Sequence, residues 1–114
     1  MFIIPEQQMK LIEKSRVSDI VGDTYQLLLD EFSELVTTTN EALYKWVKER
    51  IQMGTTQYKL TSFDALQDYV ILALQYQNVL VVKLPNDLES ILTWPGMKDA
   101  DKIAETEKLL LRKY

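Results

Sequence analysis

Neither cysteine nor histidine occurs in this 114-residue chain. The first absence excludes disulfides, thiolate nucleophiles and Cys-ligated zinc. The second removes the commonest general base and the commonest metal ligand. Glycine and proline are scarce too, three of each, beside an apolar content of 46%. A chain that apolar and that poor in breakers does not read as disordered. A surplus of positive charge is also lacking: 13 basic residues face 17 acidic ones for a net charge of -4. That is the wrong sign for affinity resting on phosphate neutralisation, so no nucleic-acid partner is expected.

Long apolar runs are missing as well. The longest, 69–74 and 79–82, are far short of the ~20 residues that cross a bilayer, and no membrane partner is expected. The opening Met1-Phe2-Ile3-Ile4-Pro5-Glu6 has neither a basic start nor a long apolar core, so it does not read as a signal peptide. A cytoplasmic location is the resulting expectation. The length suits one domain spanning 1–114, whose core removes roughly two thirds of the unfolded surface from water.

What is present is a three-and-four apolar rhythm. Pro5 is placed to start a short helix carrying Met9 and Ile12. A second helix is expected from Val17 through Ile20, Val21, Tyr25, Leu28, Phe32, Leu35 and Val36, with Gly22 as a site for a kink or a close crossing. Thr38 followed by Glu41 fits a capping box for a third, with Leu43, Val47, Ile51 and the stem of Arg50 buried and Gly54 as its left-handed end. Thr61 or Ser62 caps a fourth, the most apolar, through Phe63, Leu66, Tyr69, Val70, Ala73 and Leu74.

Residues 79–84 are rich in β-branched side chains, but a lone strand has no partner here, so they read as an extended, packed connection. Pro85 opens a short helix through Leu88, Ile91 and Leu92, which the Trp94-Pro95-Gly96 turn closes, with Trp94 expected to plug the end of the bundle. The last helix carries Asp99 and Asp101 at its start and Lys108, Arg112 and Lys113 at its end, in keeping with the helix dipole, with Ile103, Leu110 and Tyr114 facing inward. The fold expected is all-α: an irregular bundle of five to six helices.

Catalytic candidates are few. Asp19 with Asp23, Asp30 with Glu34, and Asp64 with Asp68 are each spaced by one helical turn, a geometry that carboxylate metal sites and acid/base pairs use. Soluble helices display such pairs to water far more often, and no Glu-x-x-His partner exists for a di-iron site. None of the five serines lies in a nucleophile elbow, and the three glycines are too far apart for a phosphate loop. No catalytic residue, cofactor site or metal ligand is assigned, and no cofactor is expected.

Aromatic side chains with a polar handle are the informative remainder. Most of the six tyrosines are expected in the core. Trp46, one residue off the Leu43, Val47, Ile51 stripe of the helix over 41–53, either borders the core or sits exposed; with Tyr44 and Lys48, which also project away from that stripe, it forms the candidate protein interface.

The opening Phe2-Ile3-Ile4 with Gln7-Gln8-Met9, the acidic helix ending in Phe32, and Tyr58-x-Leu60-Thr61-Ser62 before an apolar helix resemble a family of small helical proteins. These are encoded beside type VI secretion effectors and their adaptor chaperones. The chain departs from that pattern at Lys59, where a glycine commonly follows the tyrosine, and across 79–84, where a glycine and an acidic-aromatic pair are usual. The resemblance implies a bacterial accessory protein, co-chaperone-like, that helps an adaptor stabilise or load a secreted toxin effector. An immunity protein that neutralises a cognate toxin is the alternative among binding proteins, since an acidic domain associates fast with a basic toxin. A carboxylate enzyme and an oligomerising helical module are the readings from other classes.

Overall fold

The computed structural model describes residues 6–114, with side chains from Asp19 onward. Pro5 as a helix start, and the facing of Met9, Ile12 and Val17, lie outside what is described. The expected all-α architecture is found. Five helices, α1 (Glu6–Glu31), α2 (Asn40–Thr56), α3 (Phe63–Gln75), α4 (Asn86–Leu92) and α5 (Asp99–Lys113), are joined by a 3-10 turn at Ser33–Leu35 and a π-helical turn at Asn78–Val82. No strand occurs among the described residues.

Helix α3 is the centre, packing against α1, α2 and α5, while α4 packs on α5. Its sequence is apolar on more than one side, and Ala65, Leu66, Tyr69, Val70, Leu72, Ala73 and Leu74 are all buried. Helix α1 supplies Ile20, Val21, Thr24 and Leu28 to the core, and α2 supplies Leu43, Val47 and Ile51. Burial of so many side chains, each contributing ~1.5–3 kcal/mol, is the main stabilising term.

The two expected opening helices are one. Glu6 through Glu31 run without a break, and among the described residues nothing lies within 4 Å of where a Gly22 side chain would start, so no close crossing explains that glycine. The helix stops at Glu31 rather than Val36, leaving Leu35 exposed. The β-branched run Thr37-Thr38-Thr39 favours extended backbone before the next cap. That cap is Thr39 rather than Thr38: its hydroxyl accepts from the Ala42 amide at 3.2 Å.

Gly54 is not the end of α2, which continues to Thr56. It is buried where α2 meets α3, and a Cβ there would stand 2.9 Å from Leu66 Cδ2 and 3.6 Å from Tyr69 Cδ2. Close approach, not a left-handed turn, is what needs glycine at this point. The left-handed residue is Lys59 instead, at φ 56°. Glycine adopts that conformation without the Cβ penalty that lysine carries here.

Residues 79–82 are not extended, while Lys83, at φ −144° and ψ 93°, is. The segment winds as a π-helical turn in which the Lys83 amide donates to the Asn78 carbonyl at 3.4 Å, with Leu80 buried. A strand without a neighbour would leave its backbone groups unpaired, and local winding pairs them. Trp94 does not plug the bundle, being 54% exposed. Tyr114 faces outward too, its hydroxyl 3.4 Å from Asp87 Oδ1.

Ser62 caps α3, accepting from the Ala65 amide at 3.1 Å. The loop before it is held from α5. Asp99 Oδ2 accepts from the Thr61 amide at 2.7 Å, the Ser62 amide at 2.9 Å and the Thr61 hydroxyl at 3.2 Å. One turn later the buried Lys102 donates its Nζ to the Tyr58 carbonyl at 2.8 Å. Desolvation pushes the Asp99 carboxyl up, but the Thr61 and Ser62 amides, the Thr61 hydroxyl and the Lys102 charge together hold it below the usual range.

Candidate functional site

Because α1 ends early, residues 35–38 run back along the first turns of α2 before Thr39 caps it. They enclose a cleft of about 360 Å³ between this segment, α2 and the end of α3. Trp46 forms one wall, Leu35, Ala42 and Leu74 add apolar surface, and Lys45 and Glu49 bring both signs of charge. Trp46 is half-buried and packs against the core with part of its ring. Such a wall is apolar, rigid and reachable from solvent, the character of an anchoring side chain at a protein interface.

Tyr44 is on the other flank of the buried Leu43, Val47, Ile51 stripe. A step of two residues turns a helix by about 200°, so Tyr44 and Trp46 cannot share a side. The Tyr44 ring meets Tyr25 of α1 edge-on, centroids 5.4 Å apart and planes at 74°, beside a shallower cleft that Asn40 and Glu41 complete. Lys48, one turn beyond Tyr44, is exposed. The three candidate residues thus divide into Trp46 on one flank and Tyr44 with Lys48 on the other.

Leu35 is exposed at the Trp46 cleft and the buried Leu74 also lines it, a role that the apolar spacing of neither residue shows. The three consecutive threonines were the signal for Leu35, since they mark the end of a helix before the cap.

Of the six tyrosines, Tyr58 and Tyr69 are in the core, Tyr25 and Tyr76 half-buried, and Tyr44 and Tyr114 exposed. The Tyr58 and Tyr69 rings meet edge-on at 5.4 Å. The Tyr69 hydroxyl and Arg50 Nη1 approach Met53 Sδ at 3.8 and 3.7 Å. Burial raises both tyrosine pKa values, so these phenols remain protonated across the physiological range. This is a packed interior.

The acidic pairs also separate. Asp30 accepts from the Gln26 side-chain amide at 3.0 Å, and α1 ends between it and Glu34, so that pair does not share a helix. Asp64 and Asp68 do share α3 and face Glu107 of α5 across a shallow cleft. Burial, then repulsion from Asp64 and Glu107, raises the Asp68 pKa. Among the described residues, no group of three Asp or Glu side chains is arranged to hold a metal ion, and no helix is long and apolar enough to cross a membrane. Comparison with protein-family models, with curated proteins and with solved structures finds no match for this chain.

Proposed function

We propose that this chain is a non-enzymatic, protein-binding accessory protein: a co-chaperone that helps an adaptor stabilise or load a secreted bacterial toxin effector. The observation that carries the binding role is the Trp46 cleft, whose apolar wall would take a side chain of the effector or adaptor while Lys45 and Glu49 pair with polar groups around it. The secretion setting rests on the resemblance of the Phe2-Ile3-Ile4, Gln7-Gln8-Met9 and Tyr58 to Ser62 segments. Without histidine or cysteine, the chemistry left to the chain is carboxylate chemistry, and its acidic pairs lie on helix surfaces or are split by a helix end.

The test is titration calorimetry of the purified chain against the effector and the adaptor encoded beside it, with the toxin's activity assayed in parallel. Binding to either without inhibition of the toxin is the expected result. Stoichiometric inhibition would replace the co-chaperone reading with an immunity role, and no binding to either protein would overturn the proposal.

A further inference from the structure

The exposed face of α5 carries a charge pattern that contacts within the chain, among the described residues, engage only between Glu105 and Lys108. Asp101, Glu105, Lys108 and Arg112 succeed one another at intervals of four, three and four, which places them along one side of a helix. All four are exposed. The acids occupy the N-terminal half of the stripe and the bases the C-terminal half. Glu105 and Lys108 touch at 3.4 Å with side chains 50% and 74% accessible, a surface contact that contributes little and leaves both free for other partners.

The stripe is symmetric about its midpoint. Reversed end for end, it sets Glu105 opposite Lys108 and Asp101 opposite Arg112, so an antiparallel copy meets opposite charge at every step. Beside it lies apolar surface that the described residues cover only in part, since Leu109 packs partly on the core while Leu111 is exposed. Leu111 is 71% exposed, and with Leu109 and Ile91 of α4 it lines a cleft of about 610 Å³. A two-fold symmetric interface uses the same patch on both copies, so the patch must be complementary to itself, as this charge stripe is.

We infer that this face binds a second copy of the chain, α5 against α5 in antiparallel register about a two-fold axis between Glu105 and Lys108. Glu105 of each copy pairs with Lys108 of the other, Asp101 with Arg112, and Leu109 and Leu111 are covered at the flanks. The inference is independent of the Trp46 cleft, which lies on α2.

Sedimentation equilibrium of the full chain across a wide concentration range tests it. A reversible dimer is expected, and a monomer at every concentration overturns the inference. Glu105→Lys or Lys108→Glu alone faces like charges across the axis twice and should weaken dimerisation by about tenfold or more. The double exchange Glu105→Lys with Lys108→Glu restores complementarity and should return affinity to within about threefold of the parent, an order-of-magnitude expectation from near-additive charge pairing. A double variant as weak as the single ones overturns the register. Both positions are exposed, and circular dichroism melting verifies that every variant is folded.

Discussion

Helices α3 and α5 lie side by side and are nearly equal in length, 13 and 15 residues, yet they are built for different work. Seven residues of α3 are buried and all are apolar or aromatic. Only four of α5 are buried, and two of those, Lys102 and Thr106, are polar. The central helix is fixed from several sides at once and has little surface to spare. The peripheral helix spends one stripe on docking and keeps a full charged face toward solvent. Core and surface are thereby divided between different helices, and substitutions in the two should fail differently.

The largest effect belongs to the centre. Tyr69→Ala removes a fully buried ring from α3 and should cost about 4 kcal/mol in chemical denaturation. A loss near zero would mean that α3 is not the core.

The seam between the two helices comes next. Asp99→Ala strips three hydrogen bonds from the loop that caps α3 and should cost ~1–2 kcal/mol at neutral pH. The pH dependence has a definite sign. The folded-state pKa of Asp99 lies below its ordinary 3.8, so its contribution is complete above that value and is lost as pH falls through the lower folded value. Unfolding measured from pH 7 downward should show the parent and variant converging only below pH 3.8. A gap that persists through strong acid would detach the effect from the carboxylate.

A smaller effect, of opposite sign, is expected at Lys59. Lys59→Gly relieves a left-handed backbone at φ 56° and should stabilise by ~0.5–1 kcal/mol, less the entropy glycine adds to the unfolded chain. Smallest is Leu111→Ser on the outer face of α5, where denaturation under monomeric conditions should move by no more than ~0.5 kcal/mol. A large loss there would erase the contrast between the helices.

The apolar period showed most of this in advance, because side-chain spacing and helix geometry are local. It located α2, α3, α4 and α5, the Ser62 cap as one of two choices, and the all-α class. It misread what depends on neighbours remote in sequence. Gly54 looked like a helix end, since its reason is the approach of Leu66 from another helix. Lys102 gave no sign of burial, because its partner is a carbonyl 44 residues away. Residues 79–82 look extended from their β-branched content and their lack of a partner strand, and side-chain spacing does not show the local winding that pairs their backbone. At the site, the aromatic character of α2 was legible. The separation of Trp46 from Tyr44 followed from the helical turn and needed only the angle between them.

Trp46→Ala, measured for both folding stability and affinity toward the effector or adaptor, tests the account most directly. A half-buried ring on a cleft wall should cost about 1–2 kcal/mol of stability when removed. As an interface anchor it should cost roughly thirtyfold in affinity, about 2 kcal/mol. Stability falling by 3–5 kcal/mol, the loss typical of a fully packed aromatic, or an affinity left unchanged, would contradict it.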